Sequence, residues 1–210
     1  MKVTILGANG RIARIAERFM AADSDIELRL FLRHAERLAA LKGKAAIFEG
    51  DATNVQQVQK AIEGTDIVYA NLAGDDIVEQ AKTVIEAMKA AKVKRLIWIS
   101  TLGIYDEVPG AFGKWNRKIL GGYITRYAKA AKLVSDSGLD ETIIRPTWLT
   151  DDDEVDYEKT YQGQEITTTQ VSRKSVAAYV FHLVRNPKLD VHRSVGLGKP
   201  GTQGDKPSWY

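Results

Sequence analysis

The chain contains no cysteine among its 210 residues. That excludes disulfides, thiol nucleophiles and cysteine-ligated metals. Histidine is scarce: His34, His182 and His192 are scattered without metal-ligand spacing, so they read as structural or solvent residues and no metal site is expected. No apolar run reaches the roughly 18 residues that a membrane-spanning helix needs. The first residues read as a strand rather than a signal peptide. Charge of one sign is not in excess either. Lys plus Arg is 30, Asp plus Glu is 27, and the net charge is +3. That surplus is too small to argue for a nucleic-acid or membrane partner. These absences lead us to expect a soluble, cytoplasmic protein. What remains is 44% hydrophobic and 27% charged residues, an ordinary globular balance. The length suits one domain.

The most informative feature that is present lies at the start. Val3-Thr4-Ile5-Leu6 reads as a strand, and Ile12, Ile15, Ala16, Phe19 and Met20 share one face of a helix. Between them lies Gly7-Ala8-Asn9-Gly10-Arg11-Ile12-Ala13. Strand, G-x-x-G-x-x-A, helix is the entry to a dinucleotide-binding βαβ unit. Gly7 permits the tight turn, Gly10 lets backbone approach a diphosphate, and Ala13 lets the helix sit close to the sheet. The helix N-terminus offers unpaired N–H groups to phosphate. Gly7, Asn9, Gly10, Arg11 and Ile12 are therefore candidate cofactor-binding residues.

Strand and helix patterns then alternate. Strands are predicted at 26–32, 45–49, 66–70, 95–99 and 141–145. Helices are predicted at 35–42, 55–62, 76–91 and, as one long helix, 115–135. Six strands alternating with helices imply an α/β fold, a doubly wound parallel sheet with helices on both faces and no separate substrate domain. After Pro146 the pattern changes. Asp151-Asp152-Asp153-Glu154 reads as a solvated loop, 164–169 as a polar strand, Ser172 as the cap of a helix over 173–184, and 191–197 as a last strand. The tail from Gly198 to Tyr210 reads as loosely held. Residues 147–210 are expected to complete a small substrate-side lobe of a single domain spanning 1–210. A substrate would be met by loops at the carboxyl ends of the strands.

The chain resembles the atypical short-chain dehydrogenase/reductases, in the branch of small NmrA-like, NAD(P)-binding Rossmann proteins. The resemblance spans nearly the whole chain. Beyond the glycine turn it rests on Gly50-Asp51-Ala52, Asn71-Leu72-Ala73-Gly74 and Trp98-Ile99-Ser100-Thr101-Leu102-Gly103-Ile104-Tyr105. It continues through Ser137-Gly138-Leu139-Asp140, Ile143-Ile144-Arg145-Pro146 and Val171-Ser172-Arg173-Lys174-Ser175-Val176-Ala177. It implies that Asp51 and Ala52 sit by the adenine, Ala73 and Gly74 along the ribose, and Ser100 and Thr101 near the nicotinamide.

The cofactor choice turns on the end of the second strand. NAD-specific proteins usually carry an acid there for the ribose 2′-OH. Here the strand ends Phe31-Leu32-Arg33-His34, with no acid. Arg33 can form charge-assisted bonds to a 2′-phosphate, with Arg11 and Arg14 adding charge nearby. NADP is therefore expected over NAD.

The resemblance also implies a catalytic Tyr, a Lys four residues later and a strand-end hydroxyl. Thr101 matches the hydroxyl and Tyr123 lies at about the expected distance. Position 127, where the Lys belongs, is Tyr127. At about 100° per residue, Lys132 points about opposite to Tyr123 and Lys129 about 120° away, whereas Arg126 is about 60° off. An arginine does not titrate and is no like-for-like replacement. Thr147 and Trp148, with the loop of Tyr105 and Phe112, offer walls for a small pocket. Three functions are open at this point. One is an NADPH-dependent oxidoreductase on a small carbonyl, quinone or flavin-like acceptor. Another is a non-catalytic NADP(H)-sensing protein, which the missing Lys favours. The third is a nucleotide-sugar epimerase or dehydratase, which the short C-terminal part disfavours. The 115–135 segment could serve as a homodimer face.

Overall fold

The structure is a computed structural model that describes residues 1–41 and 45–210, without the side chains of 39–41. In chain order the strands are β1 Lys2–Leu6, β2 Glu27–Leu32, β3 Ala46–Glu49, β4 Ile67–Ala70, β5 Arg95–Ile99 and β6 Asp140–Pro146. They continue with β7 Trp148–Thr150, β8 Glu158–Tyr161, β9 Gln170–Ser172 and β10 Arg193–Gly198. The helices are α1 Arg11–Ala21, α2 Val55–Ile62, α3 Ile77–Ala90, α4 Gly110–Leu120, α5 Gly122–Ser135 and α6 Arg173–Arg185. A 3-10 segment covers Ala35–Leu41. The expected short helix there thus takes the tighter form, and its last residue, Lys42, lies outside the described residues.

Eight strands form one sheet in the order β3-β2-β1-β4-β5-β6-β10-β8. All neighbours are parallel except β8, which runs antiparallel to β10. Each strand of β4 and β5 is buried along its whole length, as an interior parallel strand covered on both faces must be. One face packs against α1 and α6, through Ile12, Ala16 and Met20 with Val180 and Leu183. The other packs against α2, α3 and α5, through Val58, Ala81, Val84, Tyr127 and Val134. This is the doubly wound α/β fold expected from the alternating pattern. Asn54 caps α2 by accepting from the Gln57 N–H, and Ser172 caps α6 by accepting from the Ser175 N–H.

Register builds one end of the sheet. Leu6 pairs with Phe31 on one side and Ala70 on the other, and Leu32 pairs with Glu49. The next residues of these four strands, Gly7, Arg33, Gly50 and Asn71, therefore emerge side by side. The chain order reverses between β1 and β4, so this end is the topological switch point where α/β sheets bind ligands.

Three expectations are corrected. The single helix over 115–135 is two helices, α4 and α5, joined at Gly121, whose φ of 44° and ψ of −121° no helix accommodates. The Gly121-Gly122 pair makes that break cheap. The polar strand over 164–169 is not formed: pairing to β10 falls on Glu158–Tyr161 instead, and Thr168 makes only an isolated bridge to Gln203. The tail is not loosely held. Lys199 N–H donates to Gln170 O, Ser208 N–H to Gln170 Oε1, and the Tyr210 ring meets Trp115 with centroids 4.7 Å apart.

Candidate cofactor cleft and acceptor side

A cleft of about 270 Å³ opens at the switch point. Its floor is the glycine turn. Gly7 has φ of 75°, and a Cβ there would lie 2.4 Å from the Asn71 carbonyl oxygen. A Cβ on Gly10 would fall on the Asn71 side-chain nitrogen, Nδ2. The two glycines therefore make room for Asn71 as much as for any ligand. The buried Tyr69 hydroxyl donates to Asn71 Oδ1 at 3.2 Å, which leaves the Asn71 NH₂ toward the turn. Burial drives the Tyr69 phenol pKa well above its ordinary value, so that hydroxyl stays a donor.

The start of α1 is open. Its N-cap is Gly10, no side chain caps it, and no acid lies in its first turn. Such an N-terminus attracts an anion. The first-turn Arg11 is exposed and ion-paired with Asp151, which Arg173 Nη1 also contacts at 2.8 Å. The acidic run is thus a solvated loop, but a pinned one: Asp153 pairs with Lys174 and Glu154 with Lys199.

Beyond the turn, the cleft is walled by the ends of β2, β3 and β4. Arg33, His34 and Arg37 are exposed along one side. Glu49, the acid next along the edge, accepts from the Ala35 N–H at 3.0 Å and so holds the start of the 3-10 segment. Asp51 Oδ1 accepts from the Thr53 N–H and hydroxyl, both at 2.8 Å, and Asp51 N–H donates to Gln57 Oε1 at 2.7 Å. The Thr53 bonds, aided by the positive charge of Arg33, hold the Asp51 carboxyl below its usual pKa. It therefore stands as an ionised acceptor at neutral pH.

Of the residues singled out from sequence, Gly7, Asn9, Gly10, Arg33, Asp51, Ala52 and Ala73 line this cleft. Ile12 is buried beneath it in the core, and Gly74 is exposed just beyond Ala73. Ser100 and Thr101 lie past the end of β5, buried and away from its walls. Tyr123 is half-buried on α5, its ring stacked on Tyr127 with centroids 4.0 Å apart. Burial raises both phenols' pKa values, with the charge of Arg126 partly offsetting it. Arg126 itself is ion-paired with Asp75. The neighbours that act on the Tyr123 hydroxyl are Tyr127 and Arg126, with Tyr127 standing where a Tyr–Lys pair would have its lysine.

Sequence reading gave no role to several cleft residues, Asn71, Arg37 and Gln80 among them. Asn71 sat in a quoted strand-end motif but was not given a role. Arg37 lies one turn beyond Arg33, a spacing that a helical reading of 35–41 could have used. Gln80, on α3, donates to Asp76 Oδ1 at 2.6 Å and to Ala73 O at 3.2 Å, bracing the β4 loop.

The region past the ends of β5 and β6 is shaped by a buried ion pair. Arg145 on β6 and Glu107 are fully and almost fully buried and joined through Nη1 and Oε1. Glu107 also accepts the N–H groups of Gly103 at 3.0 Å and Tyr105 at 2.9 Å, while Arg145 Nε donates to Ser194 Oγ at 3.0 Å. The loop after β5 is thereby fixed. Among the described residues, no group of His, Asp and Glu could hold a metal, and no helix is long and apolar enough to cross a membrane.

Comparison with known proteins agrees with this geometry. A family model described as NAD(P)H-binding matches residues 7–187. A short-chain dehydrogenase/reductase (wide type) from Veillonella parvula DSM 2008, solved in complex with NADP, superposes with a TM-score of 0.91. It is 28% identical, with 99% of this chain and 98% of that chain covered. A Bacillus subtilis (strain 168) protein described as an uncharacterized sugar epimerase, YhfK, is 28% identical over 161 residues, 71% of this chain and 72% of that one. An Aspergillus japonicus protein, the NmrA-like family domain-containing oxidoreductase himF, is 29% identical over 132 residues. That match takes in 57% of this chain and 36% of the longer relative.

Proposed function

This chain belongs to the NAD(P)H-binding family, and on that premise we propose that it is an NADPH-dependent oxidoreductase acting on a small carbonyl, quinone or flavin-like acceptor. The observation that carries the reading is the basic rim of the cleft. Arg33 and Arg37 wall one side of the cleft just past the end of β2, where the strand-end position carries no acid; of the acids around them, Glu49 accepts from the Ala35 N–H, Glu36 lies 3.4 Å from His34, and Asp51 accepts from Thr53. A 2′-phosphate would gain charge-assisted bonds from these two guanidinium groups. The residues fit a dinucleotide. The uncapped α1 N-terminus with Gly7, Asn9 and Gly10 would hold the diphosphate, and Arg11 stands beside it. Ionised Asp51 and Ala52 would meet the adenosine, Ala73 and Gly74 the ribose, and Ser100 the nicotinamide end. Bound NADPH supplies a hydride for an electrophile placed against it.

The chain's own contribution is positioning. Thr101 and Tyr123 are the groups that would hydrogen-bond an acceptor oxygen. A phenol whose pKa burial has raised can donate a hydrogen bond but does not readily become a base. A sugar-epimerase reading returns the hydride to its own substrate and draws nothing from a 2′-phosphate pocket. A second reading has its own observation: buried Tyr127 in place of Lys supports an NADP(H)-sensing protein without turnover. Stopped-flow monitoring of NADPH absorbance with a panel of carbonyls, quinones and flavins decides between them. Multiple turnover with any acceptor supports the oxidoreductase, and NADPH binding without turnover across the panel supports the sensor.

A further inference from the structure

One buried polar group on the acceptor side is left without use by this account. Asn116, on the second turn of α4, is 1% exposed. Trp148 Nε1 donates to its Oδ1 at 2.9 Å. An indole N–H can only donate, so this bond fixes which way the amide faces. The Nδ2 group is then a buried donor with no partner among the described residues. Buried donors in native proteins are nearly always paired, and one that is not calls for an explanation. Its direction is known. A Cβ on Gly103 would lie 3.0 Å from Nδ2, so the donor faces the turn that follows β5 across a residue without a side chain.

The surroundings point to one kind of ligand. Ser100 Oγ and Thr147 Oγ1, at the carboxyl ends of neighbouring β5 and β6, are also buried and unpartnered. Strand ends of this kind are where α/β proteins hold substrates. On the same side, Trp148 and Trp115 are half-buried, with ring centroids 4.8 Å apart and the tail's Trp209 and Tyr210 packed on part of their surface, so a ligand ring would take the part that remains open. Flat π faces beside a fixed N–H donor suit a flat ring that carries an acceptor oxygen.

We propose that Asn116 is the substrate-orienting donor of the acceptor site, its Nδ2 hydrogen-bonding a carbonyl oxygen of a planar conjugated ring laid against Trp115 and Trp148. This rests on the oxidoreductase reading and narrows its acceptor to conjugated cyclic carbonyl compounds. Trp148 acts through Asn116 as a positioning residue, holding the amide so that the NH₂ and not the oxygen meets the ligand.

The test uses the full chain loaded with NADP⁺, which cannot reduce a probe, and isothermal calorimetry with 1,4-naphthoquinone and naphthalene. The two share a ring shape and differ in the carbonyls. The absence of cysteine removes thiol addition to the quinone. Wild type is expected to prefer the quinone by at least about tenfold. Asn116→Asp keeps the acceptor for Trp148 and removes the donor. It is expected to cut that preference to under about threefold while NADP⁺ affinity stays within about twofold. Trp148→Phe keeps an aromatic face but loses the indole's second ring together with its N–H, a change of face that both probes feel alike, and is expected to lower the preference by about threefold; it carries the test alone if Asn116→Asp does not fold. No preference in wild type, or one unchanged in both variants, overturns the proposal. Failure of wild type to bind NADP⁺ overturns the cofactor reading beneath it instead.

Discussion

The two ends of the strand row compare unequally. At β1 to β4, each wall of the cleft is the residue just past a strand, and register alone brings Gly7, Arg33, Gly50 and Asn71 together. At β5, β6 and β10, the site is assembled from afar: Arg145 reaches Glu107, Trp148 reaches Asn116, and Tyr210 reaches Trp115. The first half needs short motifs and small residues. The second needs a tertiary structure to exist before its groups face one another. A family can therefore keep the first half recognisable while the second varies from member to member, and cofactor class is easier to read than substrate.

That contrast can be broken from either side. The largest effect is expected from Glu107→Ala, which leaves Arg145 charged and buried without its partner. We expect a loss of about 3–5 kcal/mol in chemical denaturation, because an uncompensated buried charge remains. The loop of Gly103 and Tyr105 should loosen with it. Next comes Gly10→Val, whose side chain would overlap the Asn71 amide. NADPH affinity should fall by about 100-fold in calorimetry, or roughly 2.7 kcal/mol, with the acceptor side intact. Arg33→Glu should weaken NADPH at least about tenfold more than NADH, since a carboxylate repels only the 2′-phosphate. Equal weakening of both would remove the role given to Arg33.

The smallest effect sharpens the comparison in the second half. With no lysine to lower it, the Tyr123 phenol remains protonated through neutral and mildly alkaline pH. Burial raises its pKa, and Arg126 offsets this only in part. Reduction should therefore show no inflection between about pH 6 and 9, where a Tyr–Lys pair would give one. Tyr123→Phe should lower kcat by less than about tenfold, the loss of one hydrogen bond rather than of a titrating general acid. An inflection that vanishes in Tyr123→Phe would restore Tyr123 as a titrating acid.

Legibility in the sequence follows the same divide. The bounds of α2 and β5 are those that periodicity predicts, because each carries its own burial pattern and its own punctuation, Asn54 and Gly64 in the one case. The fold class follows from the alternation itself. The strand β8, Glu-Lys-Thr-Tyr, has no apolar pattern to betray it and exists because β10 offers an edge. The split between α4 and α5 was written in Gly121-Gly122, but the apolar spacing on either side masked it. The tail looked loose by its Gly, Pro and Lys content, whereas Trp209 and Tyr210 dock on Trp148 and Trp115. Asn116 carried no signal at all: a lone amide on a helix acquires meaning only when Trp148 fixes its orientation.

The central claim is that the basic rim at the end of β2 makes this an NADPH site. Paired calorimetric titrations of the wild-type chain with NADPH and NADH test it most directly. Saturable NADPH binding, at least about tenfold tighter than NADH, is expected. Equal affinity for the two, a preference for NADH, or no binding of either would contradict it.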